Sequence, residues 1–334
     1  MRPAQWISAH LFYHDNLEIV IHGWVRPLVA DLAAQEAIRR WFFIRYWQGG
    51  PHIRLRLLPV AADAEPLVRT QLEQRAAAFL AARPSTAQLP VEEYQRFTAS
   101  LSQFEYGQDC RVQIYPNNSL HYIAYEPEYA RYGGPLALEA VEEHFGESSA
   151  IAGELLARAG GHAAVRAALA MQLLAMGLCM GDISRLGLVF ERRYHVWMRS
   201  FGPNQAAVAQ EIAAQYSRQR TQLQQLVGTL LRYLRRPEGT RLDPLSERWR
   251  QSVVALHGRL RDLEQRRELV ARPAGAGTLL DQPAAIVLDG LHMHNNRLGI
   301  SLTEEAYQSF VLARTLSESA VPLAEPAPSL IEGA

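Results

Sequence analysis

The sequence predicts an α+β protein in which an antiparallel, β-rich half comes first and a helical half packs with it. Three observations carry that reading. Period-two runs of apolar and branched residues occur before "RYGGP" (Arg131 to Pro135), and "QGGP" folds two of them into a hairpin. After "RYGGP" the apolar residues recur at three-to-four spacing.

The strand-like runs begin with "WISAHLFY", from Trp6 to Tyr13. "AIRRWFFIRYW" then leads into the hairpin and "HIRLRL" returns from it. In the returning strand a period of two puts His52, Arg54 and Arg56 on one face and Ile53, Leu55 and Leu57 on the other. "DAEPLVRTQLEQRAAAFLAARP" reads as an amphipathic helix stopped by proline. "CRVQIYPN" and "LHYIAYEPE" read as a second strand pair joined around Asn117 and Asn118. The helical half contains "ALEAVEEHFGESSAIAGELLARA", "HAAVRAALAMQLLAMGLCMG", the run from Asn204 to Arg235, "LSERWRQSVVALHGRLRDLEQRRELV" and "AIVLDGLHMHNNRLGIS". "ARPAGAGTLLDQPA" is a loop, and the proline-rich "VPLAEPAPSLIEGA" is expected to be a disordered tail. No linker or internal repeat divides the rest, so one domain is expected over 1–320 with the tail over 321–334.

Composition narrows the chemistry. With 34 basic and 34 acidic residues the formal net charge is zero, which argues against general nucleic-acid binding. Every basic residue is arginine, so no Schiff-base or P-loop lysine exists. The two cysteines, Cys110 and Cys179, lack CxxC spacing and form neither a disulfide framework nor a zinc knuckle. The N-terminal stretch has no apolar signal core, and no window is apolar enough to span a bilayer. A cytoplasmic location, away from membranes, is the expectation.

Three constellations carry chemistry. The hairpin face aligns His52 with two guanidinium groups, the side chains best shaped to grip a carboxylate or phosphate. In "YEPEYARYGG", Glu128 and Arg131 stand three apart beside a Gly-Gly turn, as a local ion pair or as a partner set for the hairpin arginines. In "LHMHNNRLG", His292 and Asn296 share a helix face, so the asparagine would fix the imidazole tautomer. His292 and His294 form an HxH pair whose members point apart on a helix, without a further ligand motif, so no metal is expected. No nucleophile elbow, Walker loop or dinucleotide fingerprint is present.

Together these stretches resemble one family. "WISAHLFYH", "WFFIRYWQGGPHIRLRL", "YEPEYARYGG" and "LHMHNNRLG" are similar, in order and over residues 6–315, to the C-terminal glutamate-elimination domain of class I lantibiotic dehydratases, also called the thiopeptide-type bacteriocin biosynthesis domain. The resemblance implies a stand-alone, split form of that enzyme. It would expel glutamate from glutamylated Ser or Thr of a ribosomally made precursor peptide, leaving dehydroalanine or dehydrobutyrine. No cofactor is implied. The implied partners are the precursor peptide and a separate glutamylating subunit that uses glutamyl-tRNA; a homodimer is compatible with the family.

Carried over by motif, Arg54 and Arg56 fall at the family's hairpin arginines, Arg131 and Glu128 at its second motif, and His292 at its last. Those five are the expected catalytic residues, with His294 as the rival histidine two positions on. His52, Arg45, His294, Asn296 and Arg297 are expected to contact substrate. The family also contains enzymes that close the pyridine ring of thiopeptides by a formal 4+2 cyclisation, which need not keep the elimination residues. A third reading is a silent precursor-binding subunit that adds a strand of leader peptide to its hairpin edge; such a copy would be expected to lose the histidine or an arginine. Here all are present. A phosphate or nucleic-acid binder fits a neutral chain poorly.

Overall fold

The computed structural model describes residues 5–106, 113–158, 161–180, 182, 185–236, 241–271 and 279–320. Among the described residues the β half is one antiparallel sheet of four strands: β1 (Ile7–Phe12), β2 (Ile38–Tyr46), β3 (His52–Pro59) and β4 (Ser119–Tyr122), in the order β2-β3-β1-β4. Helices α1 (Leu17–Val20) and α2 (Arg26–Ala34) lie between β1 and β2, joined by a π turn at Ile21–Val25. Pro27 sits in the first turn of α2 and has no N–H for the Gly23 carbonyl, which accounts for a widened turn just before it. Helices α3 (Glu65–Ala82) and α4 (Val91–Tyr106) follow β3.

Beyond β4 the chain is helical: α5 (Tyr129–Tyr132), α6 (Pro135–Arg158), α7 (Gly161–Cys179), α8 (Leu186–Met198), α9 (Gln205–Arg235), α10 (Pro244–Gln265), α11 (Gln282–Leu298) and α12 (Leu302–Ala320). No described helix is long and apolar enough to cross a membrane. The expected tail over 321–334 lies outside the described residues.

The predicted hairpin forms as β2 and β3, with the turn glycines Gly49 and Gly50 at positive φ. A Cβ on Gly50 would stand 2.8 Å from the His14 ring. Among the described residues the second predicted hairpin is absent. Residues 113–116 are not a strand, 107–112 lie outside the described residues, and β4 pairs with β1. Asn117 and Asn118 explain the difference, because their side chains bind other segments. The Asn117 Oδ1 accepts from the His14 N–H at 2.9 Å, and the Asn118 Oδ1 accepts from the Ser85 N–H at 2.7 Å. The pair therefore ties the β1 exit to the α3 exit.

Each sheet face has its own cover. Ile7, Ala9, Leu11, Ile53, Leu55 and Leu57 form the outer face and pack with Trp24 and Leu28 of the π turn and α2 and with Val68 and Leu72 of α3. Leu55 is fully buried there, which contributes about 1.5–3 kcal/mol. The inner face meets the helical half through Phe42, which packs with Phe145 of α6, itself in edge contact with Tyr132 of α5.

The β2 edge is covered as well. Ser149 Oγ on α6 accepts the Phe43 N–H at 3.1 Å, and the Asn296 amide on α11 pairs with both backbone groups of Arg45, at 2.9 and 2.8 Å. That edge, a template for strand addition if bare, is already engaged at these positions.

Candidate active site at the sheet–helix junction

The register that builds the apolar face also fixes the opposite one. Across β3, Arg56 stands between Ser8 and Phe42, Arg54 between His10 and Ile44, and His52 between Phe12 and Tyr46. Arg56 is buried against aromatic rings, its guanidinium carbon 4.3 Å from the Tyr125 centroid and 5.2 Å from that of Phe42. Its Nε has no hydrogen-bond partner, and no carboxylate stands within ion-pairing distance among the described residues. Burial above all brings its pKa down to about 10, so it stays charged at neutral pH. The Tyr125 hydroxyl donates to Glu142 at 2.8 Å, which holds the ring under Arg56.

A second buried guanidinium shares this aromatic box. Arg297, on α11, lies 4.6 Å from the Phe145 centroid, and Phe145 lies 5.6 Å from both Phe42 and Tyr132. Its Nε donates to Ser149 Oγ at 2.9 Å and its Nη1 to Ser148 Oγ at 3.3 Å, while Nη2 and the Tyr132 hydroxyl have no partner. Burial, opposed by Tyr132 and reinforced by the charge of Arg56, takes the Arg297 pKa down to about 9. Two buried cations within electrostatic reach of each other, with no carboxylate paired to either, are costly for the protein alone. An anion would relieve that cost.

Glu128 and Arg131 stand at the rim. They pair at 3.3 Å, and Arg131 also reaches Asp289 of α11 at 3.9 Å. The local ion pair is therefore present, and it is joined to α11. The left-handed Gly133 ends α5, and its carbonyl accepts the Val270 N–H at 2.9 Å. The Glu128 charge also acts on Arg56.

Arg54 is aimed by its neighbours. Its Nε donates to the His52 Nε2 at 3.2 Å, and its guanidinium carbon lies 3.5 Å from the Tyr46 centroid. The His52 Nδ1 donates to the Gly50 carbonyl at 2.8 Å, so both ring nitrogens are assigned. Burial holds the His52 pKa at about 3. His52 is thus a neutral imidazole that orients an arginine.

The α11 residues divide. His292 is half-buried beside Trp197 of α8, and its Nδ1 lies 2.7 Å from Glu305 Oε1 of α12. The expected pairing with Asn296 is not formed, because the Asn296 amide binds the Arg45 backbone; Glu305 takes that place. His292 stands one helical turn from Asp289, the partner of Arg131. His294 is buried against Trp249, its Nδ1 2.8 Å from Ser148 Oγ.

Arg45 points to the outer face, donates to the Arg297 carbonyl at 3.0 Å and stands 3.8 Å from Glu18. A cation at a helix C-terminus is favourable, so Arg45 and Asn296 fasten α11 to β2. The structure thus brings Arg56, Glu128, Arg131 and Arg297 together. It does not bring Arg45, His294 or Asn296 to that face.

Several participants carried no sequence signal: Glu142, Phe145, Ser148, Ser149, Asp289 and Glu305 sit in ordinary helical patterns. Tyr125 and Tyr132 lay inside "YEPEYARYGG", where aromatics beside paired charges were a readable cue.

Solved structures are similar over nearly the whole chain. The pyridine synthase TbtD from thiomuracin biosynthesis matches with a TM-score of 0.76 at 19% identity, covering 94% of this chain and 98% of that one. TsrL matches at 0.70 and 16% identity, covering 95% of both chains. The tRNA-dependent lantibiotic dehydratase MibB from Microbispora sp. 107891 matches at 0.54 and 20% identity, with 95% of this chain covering 28% of it. At these identities the likeness is one of fold. No curated protein matches in sequence. Residues 6–316 match the model of the lantibiotic biosynthesis dehydratase C-terminal region, and the chain belongs to that family.

Proposed function

We propose that the chain removes glutamate from glutamylated serine or threonine of a ribosomally made precursor peptide, leaving dehydroalanine or dehydrobutyrine. The observation that carries this reading is Arg56, a buried guanidinium without a paired carboxylate beside the Glu128–Arg131 pair. In elimination the Cα–H electron pair becomes the Cα=Cβ bond, and the Cβ–O pair leaves with glutamate. The enolate-like oxygen and the departing carboxylate are both negative. Arg54, Arg56 and Arg131 would stabilise them, with Glu128 aligning Arg131. Preorganised donors of this kind contribute several kcal/mol to barrier lowering, on the order of 3 per donor. Arg297 would add charge from behind the aromatic box. His292 would take the Cα proton and pass it to water or to the departing glutamate. The glutamyl group would come from a separate subunit using glutamyl-tRNA.

The test is a precursor peptide glutamylated on serine, mixed with this protein alone and followed by mass spectrometry. Dehydroalanine formed without ATP or tRNA is the expected result. A second reading, ring closure between two dehydroalanines, is favoured by the end-to-end match with a pyridine synthase. A dehydrated peptide without glutamate tests it: a pyridine product there, with the glutamylated peptide unchanged, replaces elimination by cyclisation.

A further inference from the structure

We infer that Glu305 is the positioning residue for His292: it holds the neutral tautomer with the proton on Nδ1 and steadies the imidazolium formed when Nε2 receives the Cα proton. This rests on the elimination reading above.

Glu305 is almost fully buried, and its side chain meets His292 and Arg193. One oxygen is 2.7 Å from the His292 Nδ1 and the other 3.4 Å from the Arg193 Nη2. Trp197 underlies both partners of Glu305, its ring 5.2 Å from the His292 centroid and 5.3 Å from the Arg193 guanidinium carbon. A carboxylate bonded to one imidazole nitrogen decides which nitrogen carries the lone pair. Here it leaves the lone pair on Nε2. A buried carboxylate with a histidine alone would be expensive to keep charged, and Arg193 supplies the compensating cation. The ring is further fixed by three helices, α8, α11 and α12, rather than by a loop.

The charges that bear on the ring come from several elements. Glu305 and Arg193 reach it from α12 and α8, and Asp289 stands one turn earlier on α11 with Arg131 of α5 as its partner. The α6 and α10 side of α11 carries His144, beside His294. During turnover the Cα proton moves to Nε2, its electron pair forms the new double bond, and glutamate departs with the Cβ–O pair. The imidazolium then loses a proton to water, which restores the starting tautomer.

The experiment is glutamate release from the glutamylated serine peptide, measured as kcat and KM with the full chain. Glu305→Gln is expected to lower kcat about 100-fold with KM within about threefold. Glu305→Asp keeps the carboxylate and should restore kcat to within about tenfold of wild type. If Glu305→Gln fails to fold for want of a partner for Arg193, the double variant Arg193→Met, Glu305→Gln removes both charges and should show the same loss of kcat with KM little changed. Wild-type kcat in these variants, with His292→Ala inactive, would overturn the inference and leave elimination standing. Wild-type release by His292→Ala would instead remove His292 from the chemistry, and Glu305 with it.

Discussion

Leu55 and Arg56 are neighbours on β3 and leave it in opposite directions, one into a sealed apolar layer and the other into an aromatic box. On the outer side the contacts lower the free energy of folding because apolar area leaves water, and among the core residues named there only the Trp24 indole N–H is stranded. On the inner side the protein buries Arg56 and Arg297, leaves Nε of one and Nη2 of the other without partners, and offsets this only in part with aromatic faces. The same pleat therefore serves stability on one face and works against it on the other. Sites of function are where local rules of folding are broken.

The largest effect expected from breaking this contrast is on activity. Arg131→Ala removes the guanidinium that bridges Glu128 and Asp289, and should slow glutamate release at least about 100-fold, the scale for loss of one preorganised donor. Accumulation of glutamylated peptide in a reconstituted reaction would report it; wild-type turnover would remove Arg131 from the grip.

On the outer face the damage should be to stability. Leu55→Ala is expected to cost about 2–5 kcal/mol, read as a lower urea midpoint, because the cavity lies between β3 and two helices. A loss below about 1 kcal/mol would mean that this layer is looser than its burial implies.

Acid sharpens the comparison. Burial holds the pKa of His52, on the inner face, and of His144, under α10, at about 3, far below the ordinary histidine value. Below pH about 6.5 the unfolded chain takes up protons that the folded chain refuses, so stability is lost as pH falls from there towards about 3. Each group contributes up to about 1.4 kcal/mol per pH unit in that window, and nothing above it. Urea midpoints at pH 7 and pH 5 should differ accordingly, and His52→Gln should reduce the slope. Equal midpoints at both pH values would show that these rings take up protons in place.

The smallest effect concerns the fastening of α11. Asn296→Ala strands the Arg45 N–H and carbonyl at the β2 edge and should cost about 1–3 kcal/mol. Faster hydrogen exchange at the Arg45 amide would localise the change; unaltered exchange would mean that another group takes over.

The hairpin and its two faces were legible because alternation with period two needs no tertiary information. The long helices were legible for the same reason at their own period. The helical excursion between β1 and β2 and helices α4, α8 and α12 went unread, and β4 was mispaired. Asn117 and Asn118 look like a hairpin turn in isolation, yet their amides bind His14 and Ser85, contacts that only the fold creates. For the candidate site, the motifs pointed to the arginines and to His292 as candidates. Glu305 and Asp289 were invisible because an acidic residue in a helix looks alike whether it meets solvent or a histidine. Asn296 was given the wrong partner, since helical spacing showed a neighbour and could not show the strand that competes for it.

The most direct test is a paired measurement on Arg56→Met, which keeps the apolar stem and removes the buried charge. Glutamate release and the urea midpoint would be recorded on one preparation. The account predicts that release is lost while the midpoint stays level or rises, since an uncompensated buried cation has been removed. Release at the wild-type rate, or loss of release only together with a lowered midpoint, would contradict it and make Arg56 a structural residue.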